Sequence, residues 1–212
     1  ARIQPSITNP HKTFMSNVVG TENVLNMAKI FKIPVVYSGS SSVHGDVYSN
    51  PYTFSKYQGE EMCLLYNKVF GVPLSICRFY NVYGEHQLTQ GDYCCVLGIF
   101  ERQYKNGDPL TITGDGEQRR DFTYVGDIVD GLIRCGESMD EVNGEIFELG
   151  NGGNYSINQI AEAFGKYPKQ YIPKQKGEMR ETLCIDENAN ELLGWNPRGN
   201  IIKFIKENYL ND

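Results

Sequence analysis

Ile33-Pro34-Val35-Val36-Tyr37-Ser38-Gly39-Ser40-Ser41-Ser42, then Asn50-Pro51-Tyr52-Thr53-Phe54-Ser55-Lys56, then Gly71-Val72-Pro73-Leu74-Ser75-Ile76-Cys77-Arg78-Phe79 is the stretch on which the fold turns. The run from Ile33 to Tyr37 is apolar, too short for a helix, and reads as a buried strand. It empties into a loop of small residues, Ser38 to Ser42. Asn50-Pro51 opens a helix from about Tyr52 to Phe70, because proline's missing N–H would be unpaired at a helix start anyway. Gly71 closes that helix, and Leu74 to Phe79 is the next strand. Strand, helix and strand with short connections predict a parallel sheet covered by helices.

Working outward, Phe14, Val18, Thr21, Val24, Leu25 and Ala28 recur at helical spacing and predict a helix from about Lys12 to Phe31. Downstream, Gly91 to Lys105 reads as a helix, Pro109 to Thr113 as a short strand and Gly114-Asp115-Gly116 as a tight turn. Asp127 to Arg134 is helical, Glu145 to Leu149 a buried strand, and Ser156 caps a helix to about Phe164. Lys166 to Lys176 has no apolar period, and Ala189 to Leu193 and Ile201 to Tyr209 are terminal helices. A doubly wound domain opens on a strand and a glycine-rich turn. Here the first element is already a mid-domain helix, and no GxGxxG or GxxGxxG occurs.

The 212 residues carry a formal net charge of -6, with 40% hydrophobic and 22% charged residues. That balance excludes a nucleic-acid binder, which needs clustered Lys and Arg. It leaves room for a local anion site, since one or two arginines suffice for a diphosphate. No apolar run approaches the roughly 20 residues of a membrane span, and Ala1 to Pro5 lacks a signal-peptide layout. The six cysteines show no CxxC spacing and His11, His44 and His86 are isolated, so no metal site is expected. Free thiols fit a reducing compartment, and the expected location is cytoplasmic.

Tyr52 and Lys56 lie four residues apart, on one face of the predicted helix. An ammonium beside a phenol favours the phenolate, a competent base for a sugar hydroxyl. With 14 tyrosines in the chain, such a pair is expected about once by chance, so its position must carry the reading. The pair opens the helix that follows a strand and a serine loop. Open parallel sheets place their ligands at the carboxyl ends of the strands.

These residues carry a resemblance. Val36 to Gly45, Pro51-Tyr52-Thr53-Phe54-Ser55-Lys56 and Arg78-Phe79-Tyr80-Asn81-Val82-Tyr83-Gly84 resemble the extended short-chain dehydrogenase/reductase superfamily, within it the NAD-dependent epimerase/dehydratase family and above all the nucleotide-sugar 4-epimerases of the UDP-glucose and UDP-N-acetylglucosamine type. Asn17 to Thr21, Gly114 to Phe122, Gly177 to Thr182 and Leu192 to Pro197 follow in family order, so the likeness spans nearly the whole chain. The implied fold is α/β: an incomplete Rossmann-like doubly wound parallel sheet with a smaller mixed α/β substrate-binding domain. Residues 1–85 would be the C-terminal portion of the NAD-binding domain, to which the chain returns around 121–150, and 86–212 the nucleotide-sugar domain. The glycine-rich part that holds NAD in this family is expected to precede Ala1.

The resemblance implies that Tyr52 is the catalytic base, Lys56 its partner and a ligand of the nicotinamide ribose, and Ser40 the catalytic hydroxyl. Asn17, Ser38 and the Tyr80 backbone would join Tyr52 and Lys56 in contacting NAD. Asn81 would hold the sugar diphosphate and Arg120 a phosphate. Leu110, Thr111 and Thr113 would line the base through backbone groups, Glu178 would reach the ribose, and Val96 and Arg180 would complete the substrate set. A UDP-sugar is the implied partner, and Met62, Leu65, Tyr66 and Val69 would supply a homodimer surface. Ser41 and Ser42 stand where dehydratases carry an Asp-Glu pair and decarboxylases usually a Glu, which favours epimerisation. Thr182, small where a bulky residue would exclude an N-acetyl group, admits an N-acetylhexosamine. His44 replaces a usual Tyr and is expected to pack. Two alternatives stand: a catalytically silent nucleotide-sugar-binding or assembly fragment if the chain starts at Ala1, and other chemistry of the superfamily, dehydration or decarboxylation.

Overall fold

Val35–Ser40 and Leu74–Phe79 form strands β1 and β2, which pair in parallel and run in register from Val35 opposite Leu74 to Ser40 opposite Phe79. The computed structural model describes residues 2–210. In chain order the helices are α1 (Ile3–Thr8), α2 (Pro10–Phe14), α3 (Gly20–Phe31), α4 (Pro51–Phe70), α5 (Val96–Asn106), α6 (Val125–Glu137), α7 (Ile157–Glu162), α8 (Asn188–Leu193) and α9 (Ile201–Tyr209). The remaining strands are β3 (Val82–Tyr83), β4 (Leu110–Thr113), β5 (Arg119–Asp121), β6 (Thr123–Tyr124), β7 (Ile146–Leu149), β8 (Asn154–Ser156) and β9 (Lys169–Ile172).

The chain divides into two units. The first comprises 1–79, 128–149 and 186–196 and contains the parallel sheet in the order β1-β2-β7. Its core is Leu25, Ala28, Cys63, Tyr66, Val72, Leu74 and Ile76. Helix α4 is delimited by local chemistry: the Asn50 side chain accepts from the Thr53 N–H (2.9 Å), Pro51 occupies the first turn, and Gly71 ends the helix at φ 68°. The Tyr52 N–H, which has no partner inside the helix, donates to Ser6 Oγ of α1 (3.0 Å).

The second unit comprises 80–127, 150–185 and 197–212. It holds three two-stranded sheets, β3-β6 and β4-β9 parallel and β5-β8 antiparallel. Its core joins Leu97 and Phe100 of α5, Leu110 and Ile112 of β4, Ile157 and Ile160 of α7, and Ile201 and Ile205 of α9.

Several elements differ from expectation. The Lys12–Phe31 helix is interrupted by a π-helical turn, Met15–Val19, and preceded by α1, which the apolar period does not reveal. On α3, Leu25 and Ala28 are buried while Val24 is 57% exposed. The strand expected to be buried at Ile33 starts at Val35 and is half-buried; Ile33 itself is exposed. Helix α5 starts at Val96 rather than Gly91, which sits at φ 84° and cannot continue a helix. Lys169–Ile172 is a strand despite its polar composition, because β4 supplies backbone partners from Leu110↔Lys169 to Thr113↔Ile172. On the expected dimer surface, Leu65 and Val69 are exposed, but Tyr66 is buried and donates to Glu22 and Asn26, so it belongs to the core. Among the described residues no helix is long and apolar enough to cross a membrane, and no group of His, Cys, Asp and Glu is placed to hold a metal ion.

Candidate active site

At the carboxyl end of the sheet of the first unit, Ser40 ends β1 and caps a single 3-10 turn, Ser41–His44. Its Oγ accepts from the Ser42 N–H (3.3 Å) and lies 3.0 Å from Ser42 Oγ. Tyr52 Oη donates to the same Ser40 Oγ at 3.2 Å. Lys56, one turn further along α4, donates from Nζ to the Ser38 carbonyl (2.8 Å). Burial pulls the Lys56 ammonium down from its ordinary value, and the charges of Glu60 and Cys63 oppose the shift. Thus Ser38, Ser40, Tyr52 and Lys56 converge. Tyr37 lies under the Lys56 ammonium, but burial, with the charges of Cys63 and Glu60, pushes its phenol well up, so it is no candidate base.

Asn17 occupies the π-helical turn, a device found often at functional sites. Its Nδ2 donates to Ser55 Oγ (2.9 Å), which donates to the Tyr52 carbonyl (2.8 Å). Asn17 is thereby tied to the first turn of α4.

The second unit holds the other expected residues. Tyr80 is buried. Asn81 Nδ2 donates to the Asp121 carbonyl (3.0 Å) and to Thr182 Oγ1 (3.2 Å), and the Asp121 N–H donates to the same Thr182 hydroxyl (3.2 Å). Arg120 donates to the carbonyls of Arg119 (2.8 Å) and Arg180 (3.4 Å), and no described carboxylate lies in ion-pair range. Burial lowers its affinity for the proton, and Glu178 partly offsets this. A pocket of about 160 Å³ is lined by Thr113, Gly114, Asp115, Gln118, Lys174, Glu178, Met179 and Arg180. It brings Thr113, Glu178 and Arg180 together. Leu110 and Thr111 do not line it: Leu110 is buried with its N–H on the Pro168 carbonyl, and the Thr111 N–H goes to Gln103 Oε1. Arg180 pairs with Asp115 (2.8 Å), and that contact, with the Glu117 N–H, holds Asp115 at about 2. Val96 opens α5, where Cys95 offers no side-chain cap to the first-turn N–H groups.

Two features have no local pattern in the sequence. Asp121, fully buried, accepts from the N–H groups of Asn151 (2.8 Å), Gly152 (3.1 Å) and Cys184 (3.0 Å), which fixes two loops of the second unit. In the first unit, Arg78 bridges two buried carboxylates, Glu60 (2.7 Å) and Glu148 (2.9 Å), and His44 Nε2 meets the same Glu148 at 2.9 Å. His44 is thus hydrogen-bonded to a buried carboxylate, where simple packing was expected.

The model of the NAD dependent epimerase/dehydratase family matches residues 1–150. The chain belongs to that family. Its members are NAD-dependent and include enzymes of nucleotide sugars. Over 225 residues the chain is 31% identical to a putative UDP-glucose 4-epimerase of Methanocaldococcus jannaschii, covering 96% of this chain and 71% of that protein. It is also 31% identical over 215 residues to UDP-glucuronic acid decarboxylase 4 of Arabidopsis thaliana, covering 90% and 47%. Among solved structures it is similar to the UDP-glucuronic acid 4-epimerase of Bacillus cereus in complex with UDP-glucuronic acid and NAD, with a TM-score of 0.84 and 27% identity over 92% of this chain and 67% of that one. The Rossmann-like α/β fold expected from the sequence is the fold of this family.

Proposed function

We propose that the protein is a nucleotide-sugar 4-epimerase, acting on a UDP-hexose or UDP-N-acetylhexosamine. The observation that carries the reading is the meeting of Ser40 Oγ and Tyr52 Oη at 3.2 Å with Lys56 one turn along the same helix. The donor set fits NAD: Lys56 spends one of its three N–H donors on Ser38, and no described carboxylate pairs with it, so donors remain for the diol of a ribose. Lys56 and Tyr52 would hold that ribose, with Asn17 and Ser38 as further contacts. When bound, NAD supplies reversible hydride acceptance, which takes the sugar C4 carbinol to a ketone and back. Tyr52, ionised, takes the C4 hydroxyl proton and later returns it; the Ser40 hydroxyl shares the hydrogen bond and keeps Tyr52 Oη in place. Inversion follows when the ketone presents its opposite face before reduction.

In the second unit we assign phosphate binding to Arg120 and to the first-turn N–H groups at Val96, both offering positive charge without a carboxylate partner. The pocket at Thr113, Glu178 and Arg180 is assigned to the nucleoside. Asn81 and Thr182 contribute chiefly by holding the Asp121 backbone, since the amide protons of Asn81 are used there. Ser41 and Ser42 adjoin Ser40 without a carboxylate, which disfavours elimination and decarboxylation. We assign a homodimer contact to Leu65 and Val69.

The test is a panel of UDP-glucose, UDP-N-acetylglucosamine and UDP-glucuronate with the full-length protein, followed by proton NMR of the sugar. Inversion at C4 is expected. Tyr52→Phe should lower kcat by about 10²–10⁴-fold, the worth of a general base. Release of carbon dioxide from UDP-glucuronate would instead assign a decarboxylase, and failure to convert any sugar would refute the enzyme reading.

A further inference from the structure

Across the sheet of the first unit, Gly39, Arg78 and Glu148 stand in one row, Gly39 opposite Arg78 and Arg78 opposite Glu148. The row is closed by a side chain that does not come from a strand. A Cβ at Gly39 would sit 2.7 Å from Glu60 Oε1 and 3.1 Å from Arg78 Cγ. The missing side chain at position 39 is therefore what lets Glu60 of α4 reach the row. From there the contacts run Glu60, Arg78, Glu148, His44. His44 is the last residue of the 3-10 turn that Ser40 caps, and Ser40 is the residue that meets Tyr52 on the same α4. The serine turn is tied to α4 twice, at its start through Ser40 and Tyr52 and at its end through this charged chain.

We infer that His44 is a positioning residue for the Ser40 hydroxyl, acting through Glu148 and Arg78, so that the serine turn and the Tyr52–Lys56 helix are braced against each other. The proposal rests on the epimerase reading for its catalytic consequence, and not for its structure. The groups facing His44 are Glu148 on β7, Arg78 on β2 and Glu60 on α4. Its hydrogen bond to Glu148 raises its proton affinity, while burial and Arg78 oppose this. Glu148 is pushed up by burial, but the bonds from His44 and Arg78 outweigh that and hold it low. A proton on His44 sets an imidazolium against the Glu148 carboxylate, which strengthens the contact.

The His44 imidazole can be assigned by NMR as the signal that disappears in His44→Gln. In the full-length protein, His44 should titrate above its ordinary range, and Glu148→Gln should bring the midpoint down. His44→Ala should expose the Gly45 N–H, which bonds the Ser42 carbonyl across the turn, with exchange faster by about 10-fold. His44→Gln, which keeps a donor, should restore most of that protection. In turnover, His44→Ala should lower kcat by about 10-fold with KM changed by less than about 2-fold, because Ser40 serves the reacting hydroxyl and not substrate capture. A His44 midpoint that ignores Glu148→Gln, or Gly45 exchange that ignores His44→Ala, overturns the proposal whatever the enzyme does. A kcat that ignores His44→Ala in an active enzyme overturns it too. Loss of 4-epimerisation with a normal titration and normal Gly45 response refutes only the functional reading, since neither measurement needs a substrate.

Discussion

Gly59 sits in the middle of α4, where glycine ordinarily costs about 1 kcal/mol relative to alanine. Gly59→Ala should therefore stabilise the protein if helix propensity decides. The packing decides otherwise. A Cβ at position 59 would overlap the Tyr37 hydroxyl and lie 2.8 Å from its Cζ, closer than real side chains approach. Tyr37 packs against the core of the first unit and beneath the Lys56 ammonium, so the ring steps aside only by giving up those contacts. Overpacking of this kind costs about 1–3 kcal/mol, and an aromatic hydroxyl met head-on belongs at the upper end. Net of the helix gain, Gly59→Ala should lose about 2 kcal/mol, roughly a 30-fold fall in the folded-to-unfolded ratio. Urea unfolding followed by far-UV circular dichroism measures it. The double variant Gly59→Ala/Tyr37→Phe removes the worst overlap and should recover at least about 1 kcal/mol beyond additivity. There is a functional reading as well. Strand β1 carries Ser40 and α4 carries Tyr52, so forcing them apart lengthens the 3.2 Å contact and should lower kcat in proportion. If Gly59→Ala proves neutral or stabilising, the close approach of α4 to β1 is refuted, and with it the geometry on which the Ser40–Tyr52 pair depends.

Arg120→Gln should weaken UDP binding by about 10- to 100-fold in isothermal titration, the loss expected for a charged donor to phosphate, with the effect shrinking as salt rises. Ser156→Ala removes one half of a capping box in which Ser156 Oγ accepts from the Gln159 N–H (3.1 Å), and should cost about 1 kcal/mol in urea unfolding. For the His44–Glu148 pair, the raised His44 value means that its contribution to stability is complete below the ordinary 6.5 and lost as pH rises through the folded value. Glu148, held low, contributes fully above the ordinary 4.5 and less as pH falls through its folded value. The gap in urea midpoint between the wild type and His44→Gln should therefore be widest between about 4.5 and 6.5 and should close at higher pH; a gap that stays as wide well above 6.5 would contradict a charged His44–Glu148 contact.

How much of the fold and the site is legible in the sequence depends on how far each signal has to travel. Helix α4 can be bounded to within about a residue because its signals are local: Asn50 and Pro51 at one end, Gly71 at the other. The Tyr52–Lys56 pair is visible because a helix fixes i and i+4 on one face, and the serine loop because the strand before it is short and apolar. The shortest strands are not visible. Val82–Tyr83 and Thr123–Tyr124 have two residues each, too few for a period, and exist because each supplies the other's backbone partners. The π-helical turn holding Asn17 changes which carbonyl each N–H reaches and leaves no mark on composition. Periodicity also marks a stripe without saying how wide a band the fold covers, which is why Val24 shares the stripe of Leu25 and Ala28 yet is exposed.

The least legible feature is the charged row. Glu60 and Arg78 are 18 residues apart and Arg78 and Glu148 are 70 apart, so no local pattern joins them. One residue does hint at it. Gly39 in a strand interior weakens a sheet unless something must come close, and here the thing that comes close is the Glu60 carboxylate. Two buried carboxylates on one arginine are costly to desolvate and are a poor device for stability alone. Such a row is tolerable where it secures a geometry that apolar packing would leave loose. The row begins on the helix that carries Tyr52 and Lys56 and ends on the turn that Ser40 caps. Fixing those two elements is therefore the use that best accounts for its cost, and Gly39 and Gly59 serve the same end, each giving up a side chain so that α4 can lie close against β1.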